Sequence, residues 1–285
     1  MLIERSEPLD VLNGALKLAA SGRGNVVIVG GEAGIGKTSL LREFAIEARS
    51  RAEVHWGGCE ALFTPRPLGP LQDMAQAVDA RVAELLEETA SQERIFTALL
   101  NALQDARGTS VLIFEDVHWA DKATLDLIKY LGRRVGMMRT VLVLSMRSDE
   151  IGANHPLAQV LGDIPSGQTM RIALKPLSAQ GVDILAKQAG RKDDRLFDIT
   201  EGNPFFVTEL LASNPSGGEE IPASVRDAVW SRIGRLEDSE RELLEKISIV
   251  PGSIEPWLLH AMMGETADAA VDSCVTRGLL QRDGQ

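Results

Sequence analysis

The sequence predicts an α/β fold: a parallel sheet with helices on both faces, followed by an all-helical portion. Three observations predict it. Short apolar runs alternate with helical patterns over the first part of the chain. A glycine-rich stretch joins the first run to the helix behind it. After Lys175 the apolar runs stop and every further pattern has helical spacing. Alternating strands and helices imply parallel strands, because a parallel pair needs a long crossover that is usually a helix.

Taken in order, Leu9, Leu12, Leu16 and Ala20 fall near one face and predict a helix over 7–20. SGRGN turns the chain into a strand at 25–29. Leu40, Leu41, Phe44, Ala45 and Ala48 share one side of a helix over 37–49. A weak strand follows at 53–58. Residues 62–70, LFTPRPLGP, hold three prolines and exclude a regular helix there. Helices are expected at 71–87 and 92–106, and a strand at 111–114. Asp121 is placed to cap a helix over 122–134. Strands are expected at 141–146 and 170–174. Beyond Lys175 helices are expected at 178–189, 193–200, 204–212, 222–235, 239–249, 255–263 and 267–278, with a linker at 213–220, SNPSGGEE.

The 285 residues suffice for about two domains. There is no apolar run of about 18 residues, so no membrane span or membrane partner is expected. The N-terminus lacks the apolar core of a signal peptide. Two cysteines far apart suggest free thiols and a cytoplasmic protein. Net charge is −11, which argues against a surface that coats nucleic acid.

The chemistry sits in residues 31–38, GEAGIGKT, which fit G-x-x-x-x-G-K-[ST] in full, with the strand NVVIV before and an amphipathic helix after. This is the P-loop NTPase pattern. Glycines let the backbone curl so that N–H groups converge on an anion, and the following helix adds its positive end. Gly31, Glu32, Ala33, Gly34, Ile35, Gly36, Lys37, Thr38 and Ser39 are the expected phosphate cradle for ATP. Lys37 is expected on the β- and γ-phosphates, and the Thr38 hydroxyl on Mg²⁺. A glycine-rich turn without a ligand is the rival reading, and the flanking strand and helix weigh against it.

The strand VLIF runs into Glu115 and Asp116, and two carboxylates at its tip need a positive partner. Beside a phosphate loop, Glu115 is expected to hold Mg²⁺ through water and Asp116 to orient and deprotonate an attacking water. Adjacent strand residues point to opposite faces, so the strand should end at Asp116. A helix cap or surface charge is the plainer alternative for either acid, and second-shell metal work is the rival to capping for Asp121. Arg147 closes another strand, where ligands of parallel sheets bind, and is placed to reach the γ-phosphate. Its alternative is a surface ion pair with Asp149 or Glu150. His118, Trp119 and Cys59 read as loop or core residues, and Arg66, displayed between two prolines, as either loop structure or a contact to phosphate or a partner.

Five segments together resemble a known family: LIERSEPLDVL, GGEAGIGKTSLL, CEALFTPRPLGPLQDMA, VLIFEDVHWADKATLDLI and EGNPFFVTELL. They are similar to the ATPase region of the large ATP-binding LuxR-type transcriptional regulators, STAND-class proteins of the NACHT/AAA+-like group. The resemblance implies a P-loop ATPase core over 1–175, a helical lid over 176–220 and the start of a winged-helix domain over 221–285. It places Arg5 in an adenine-side box and Pro204 in a lid motif that packs on the base. It also implies a chain that continues to a helical-repeat sensor and a C-terminal helix-turn-helix, making this sequence a fragment. DNA would be met only through that missing helix-turn-helix. Glu115 stands where many such ATPases have Asp, Asp116 where many have Glu, and Ser145-Met146 where Thr and Tyr are frequent.

The expected function is a switch: Mg-ATP binding and slow hydrolysis, with self-association on activation, controlling a regulator. The alternatives are a stand-alone ATPase, or a phosphotransferase with a small-molecule acceptor, and a nucleotide-binding scaffold without catalysis. No N-K-x-D segment follows the fourth strand, which disfavours a GTPase.

Overall fold

The computed structural model describes residues 2–152, 154–191, 195–213, 222–234, 236–250, 254–276 and 279–280. The first part runs α1 (Ser6–Ala20), β1 (Asn25–Gly30), α2 (Lys37–Ala48), β2 (Glu53–Gly58), α3 (Gly69–Val78), α4 (Ala80–Glu87) and α5 (Gln92–Asp105). It continues with β3 (Ser110–Glu115), α6 (Lys122–Gly132), β4 (Thr140–Met146), α7 (Pro156–Gly162) and β5 (Thr169–Ala173). The five strands form one parallel sheet in the order β2-β3-β4-β1-β5. This is the P-loop NTPase fold expected from the sequence.

Strand periodicity splits the core into two layers. Val27, Val29, Val111, Ile113, Val141 and Val143 face α1 and α2, meeting Leu12, Leu16, Leu40, Leu41 and Phe44. Val26, Ile28, Leu112, Phe114, Leu142 and Leu144 face the opposite layer, meeting Leu71, Leu85, Leu99, Leu127 and Leu157 from α3 to α7. Each such side chain fully buried contributes about 1.5–3 kcal/mol. Covered on both faces, the central strands read as continuous apolar runs rather than alternating ones.

Two expectations need correction here. The helix expected over 71–87 is two helices, because Asp79 adopts an extended backbone at φ −166°. Its carboxylate caps α4 by accepting from the Arg81 and Val82 N–H groups at 2.8 and 3.3 Å. Asp gains more as a cap than inside a helix, and the apolar periodicity continues across the break and hides it. Helix α7 was not expected. It starts at Pro156, a first-turn position that suits proline, and His155 Nδ1 accepts the Leu157 N–H at 3.1 Å.

The helical portion holds α8 (Ala179–Gln188), α9 (Leu196–Thr200) and α10 (Pro204–Ala212) around Leu177, Val182, Ala186, Leu196 and Val207. Then come α11 (Ala223–Ile233), α12 (Asp238–Ile247), α13 (Pro256–Met263) and α14 (Ala267–Thr276). The last three gather Leu243, Leu259, Ala267, Ala270 and Cys274 into a separate core. Of the expected linker, 214–220 lies outside the described residues, as does 281–285, the end of the expected winged-helix start. Among the described residues no helix is long and apolar enough to cross a membrane.

Candidate functional site

The C-terminal ends of β1, β3 and β4 open into a cleft of roughly 360 Å³. That lies within the range of about 300–1,000 Å³ usual for small-molecule sites. The loop between β1 and α2 supplies Ala33, Gly34, Gly36, Lys37, Thr38 and Ser39 to its wall. Asp116 and Arg147 enter from the other strand ends, and Pro204, Phe205 and Thr208 from α10. Arg5, Gly31, Glu32, Ile35 and Glu115 are not among the residues that line it.

Backbone shape explains the loop. Gly34 and Gly36 hold φ of +78° and +97°, which favours glycine. A Cβ on Gly36 would meet no protein atom within 4 Å, so the space beside it is left to the cleft. A Cβ on Gly34 would lie 2.7 Å from Phe205 Cβ and 2.8 Å from Asn203 Oδ1, because α10 docks directly on the loop.

Every carbonyl from Gly31 to Ile35 accepts a hydrogen bond. Lys37 Nζ donates to Gly31 O and Glu32 O, both at 2.8 Å. Asn203 Nδ2 donates to Ala33 O at 3.0 Å, and the Phe205 N–H to Gly34 O at 3.2 Å. Arg5 Nη2 donates to Ile35 O at 3.1 Å and to Lys175 O at 2.9 Å. The structure thus places Arg5 as a buried brace on the back of the loop. Its hydrogen bonds go to the backbone carbonyls of Glu4, Ile35 and Lys175. Burial pushes the Lys37 pKa down, against the pull of Asp116.

Strand β3 ends at Glu115, and Asp116 turns away with φ +53°. Its N–H donates to Ser145 Oγ at 3.0 Å. Burial first, then the Glu115 charge, pushes the Asp116 carboxyl above its usual range. Glu115 accepts from the Thr38 hydroxyl and, at 3.2 Å, from Trp56 Nε1. A hydroxyl beside a carboxylate is a donor set that suits a hard cation such as Mg²⁺.

Arg147 follows β4 directly and is half-buried. It lines the cleft, and its Nη1 also pairs with Glu150 Oε1 at 2.6 Å, its guanidinium 4.7 Å above the Trp119 ring. His118 is buried beneath, with Nε2 3.6 Å from Glu150 Oε2, and burial lowers its pKa to about 4. Asp121 caps α6 through the Ala123 and Thr124 N–H groups at 2.9 and 3.2 Å. Burial pushes the Cys59 thiol up to about 12, which makes it inert. Sequence reasoning gave no site role to Trp56, Ser145, Phe205 and Thr208, and it placed Asn203 only within the lid motif that the resemblance implies. Of these, only Asn203 carried a local signal, an N-cap residue before proline.

Fold and cleft together define a phosphate-loop NTPase domain. The chain belongs to the AAA ATPase domain family, whose model matches residues 1–146. It is 28% identical over 348 residues to an uncharacterized protein of Rhizobium meliloti (strain 1021), covering 99% of this chain and 33% of that protein. The chain therefore spans about a third of the length of that curated relative. Among solved structures it is similar to the ORC2 protein of Aeropyrum pernix, solved in ADPNP–ADP complexes, with TM-score 0.63 and 16% identity over 99% of this chain and 88% of that one. It is also similar to a Walker-type ATPase of Pyrococcus abyssi, with TM-score 0.59 and 14% identity over 99% and 91% of the two chains. At these identities the structural likeness is one of fold.

Proposed function

We propose that this chain binds Mg-ATP, hydrolyses it slowly, and acts as the nucleotide-dependent switch module of a larger transcriptional regulator of the ATP-binding LuxR type. The observation that carries the nucleotide reading is the set of five successive bonded carbonyls at Gly31 to Ile35. Protein donors use up the loop's acceptors, so a ligand meets its donors, and that suits an anion such as a phosphate chain.

In this reading Lys37 keeps its hold on the loop carbonyls and turns its remaining N–H to the β- and γ-phosphates. Thr38 and Glu115 hold Mg²⁺, which when bound neutralises charge on the phosphate oxygens. Asp116 takes the proton of the attacking water, a task that a raised carboxyl pKa favours. Arg147 exchanges Glu150 for the γ-phosphate. Pro204, beside the cleft, packs on the base. The two contacts from α10 to the loop, at Asn203 and Phe205, would carry the nucleotide state into the helical portion.

The organisation we infer is a core over 1–175, a lid over 176–220 and a winged-helix start over 221–285, in a cytoplasmic protein that self-associates when activated. The regulator context rests on the sequence resemblance, with DNA contacted through a helix-turn-helix beyond this chain. The test is a pair of variants read by calorimetry and by phosphate release. Lys37→Ala should abolish nucleotide binding. Asp116→Asn should keep binding and lose at least about 100-fold in hydrolysis. Equal turnover in Asp116→Asn and the unaltered chain would overturn the assignment of the base.

A further inference from the structure

Glu115 poses a positioning problem. Its side chain has one more rotatable bond than the Asp usual at this place, and a metal-side carboxylate must be held still to be useful. Strand β2 answers it. Trp56 pairs with Ile113 of β3 in parallel register, and Glu115 lies two residues further along β3 beside Gly58. Side chains two apart on a strand share a face, so the indole and the carboxylate stand on the same side of the sheet. Trp56 packs its ring against the layer formed by α1 and α2. Its one polar atom, Nε1, donates to Glu115 Oε2 at 3.2 Å. The other carboxylate oxygen accepts from the Thr38 hydroxyl. A hydroxyl that gives its proton to a carboxylate keeps its lone pairs for a cation.

We propose that Trp56 is a positioning residue of the metal side: its indole N–H holds the Glu115 carboxylate against Thr38, so that the longer acid presents an ordered Mg²⁺ site. The inference rests on the proposed roles of Thr38 and Glu115. The ring anchors the tether in the core, and the N–H selects one carboxylate orientation. Without that bond Oε2 is free to rotate, and the entropy of fixing it falls on cation binding.

The experiment is calorimetry of ADP binding to the full chain, with Mg²⁺ and with EDTA, for the unaltered protein and Trp56→Phe. Phenylalanine keeps an aromatic ring in the core, though a smaller one, and removes the donor; the arm in EDTA reads any loss of packing. We expect affinity in EDTA to stay within about twofold, while the gain in affinity on adding Mg²⁺ falls about tenfold. An unchanged Mg²⁺ gain overturns the proposal. So does an equal loss with and without Mg²⁺, which would make the indole a packing residue only. The double variant Glu115→Asp/Trp56→Phe adds a second readout. A shorter carboxylate lies out of the indole's reach, so Trp56→Phe should cost nothing further there, and a full additional loss overturns the tether. If ADP binding to the unaltered chain ignores Mg²⁺, the metal-side roles of Thr38 and Glu115 fall first and take this inference with them.

Discussion

Asp116 holds a left-handed backbone, φ +53°, at a cost of about 1 kcal/mol for a residue with a side chain. The adjacent acids signalled that turn, since two neighbours cannot both face one site while the strand runs on. What the sequence did not signal is the residue that keeps the turn in place. Ser145, fully buried on β4, accepts the Asp116 N–H at 3.0 Å, and the two are 29 positions apart. Ser145→Ala should therefore leave ATP binding near its original value and lower kcat about 10- to 100-fold, as the proposed base drifts from its place. Single-turnover hydrolysis at saturating ATP checks this. A kcat that does not move would make Ser145 a core residue and nothing more.

Between elements, the decisive contact is α10 on the phosphate loop. Gly34 has no room for a methyl group, because Phe205 Cβ and Asn203 Oδ1 would lie 2.7 and 2.8 Å from it. Gly34→Ala should lift α10, expose its amides to hydrogen exchange and weaken nucleotide binding about tenfold, a strain of roughly 1–2 kcal/mol. Gly36→Ala is the control: it carries similar backbone strain but meets nothing within 4 Å, so exchange in α10 should not change. The docking of Asn203 and Phe205 was invisible in the sequence, although their segment stood out as a motif. Pairing across about 170 residues leaves no periodic trace. The strands and most helices were legible because burial on one or two faces imprints a period. The break at Asp79 and the short α7 were not, since one hides inside a continuing pattern and the other is too brief to show a period.

For the molecule as a whole, the brace at Arg5 ties the chain's beginning to the phosphate loop and to the entrance of the helical portion. Glu4 extends it, accepting from the Ser178 N–H at 2.8 Å and from its hydroxyl. Those bonds to Ser178 hold the Glu4 carboxyl below its usual range. Its contribution is thus present above the ordinary Glu value and lost as pH falls through the lowered one. Arg5→Ala would strand the carbonyls of Ile35 and Lys175 and should cost about 2–4 kcal/mol in urea unfolding. Arg5→Lys, which keeps the charge but not the two-pronged donor, should recover only part of it. A loss below about 0.5 kcal/mol would mean that water replaces the guanidinium at both carbonyls.

Strand order was the least legible property at this scale, because no local pattern says which strand neighbours which. Its consequence reaches back to synthesis. Strand β1 emerges early, yet its two neighbours are β4 and β5, with Asn25 opposite Val141 and Val26 opposite Thr169. On a ribosome that strand must wait with both edges open while more than about a hundred residues follow, shielded only by the helices on either side of it in the chain. The phosphate loop that β1 carries lacks two of its braces for longer still, until Asn203 and Phe205 have been made. A nascent chain of this design is most exposed to mispairing and to chaperone capture in that interval, and it acquires a competent nucleotide cleft late, close to when α10 is complete.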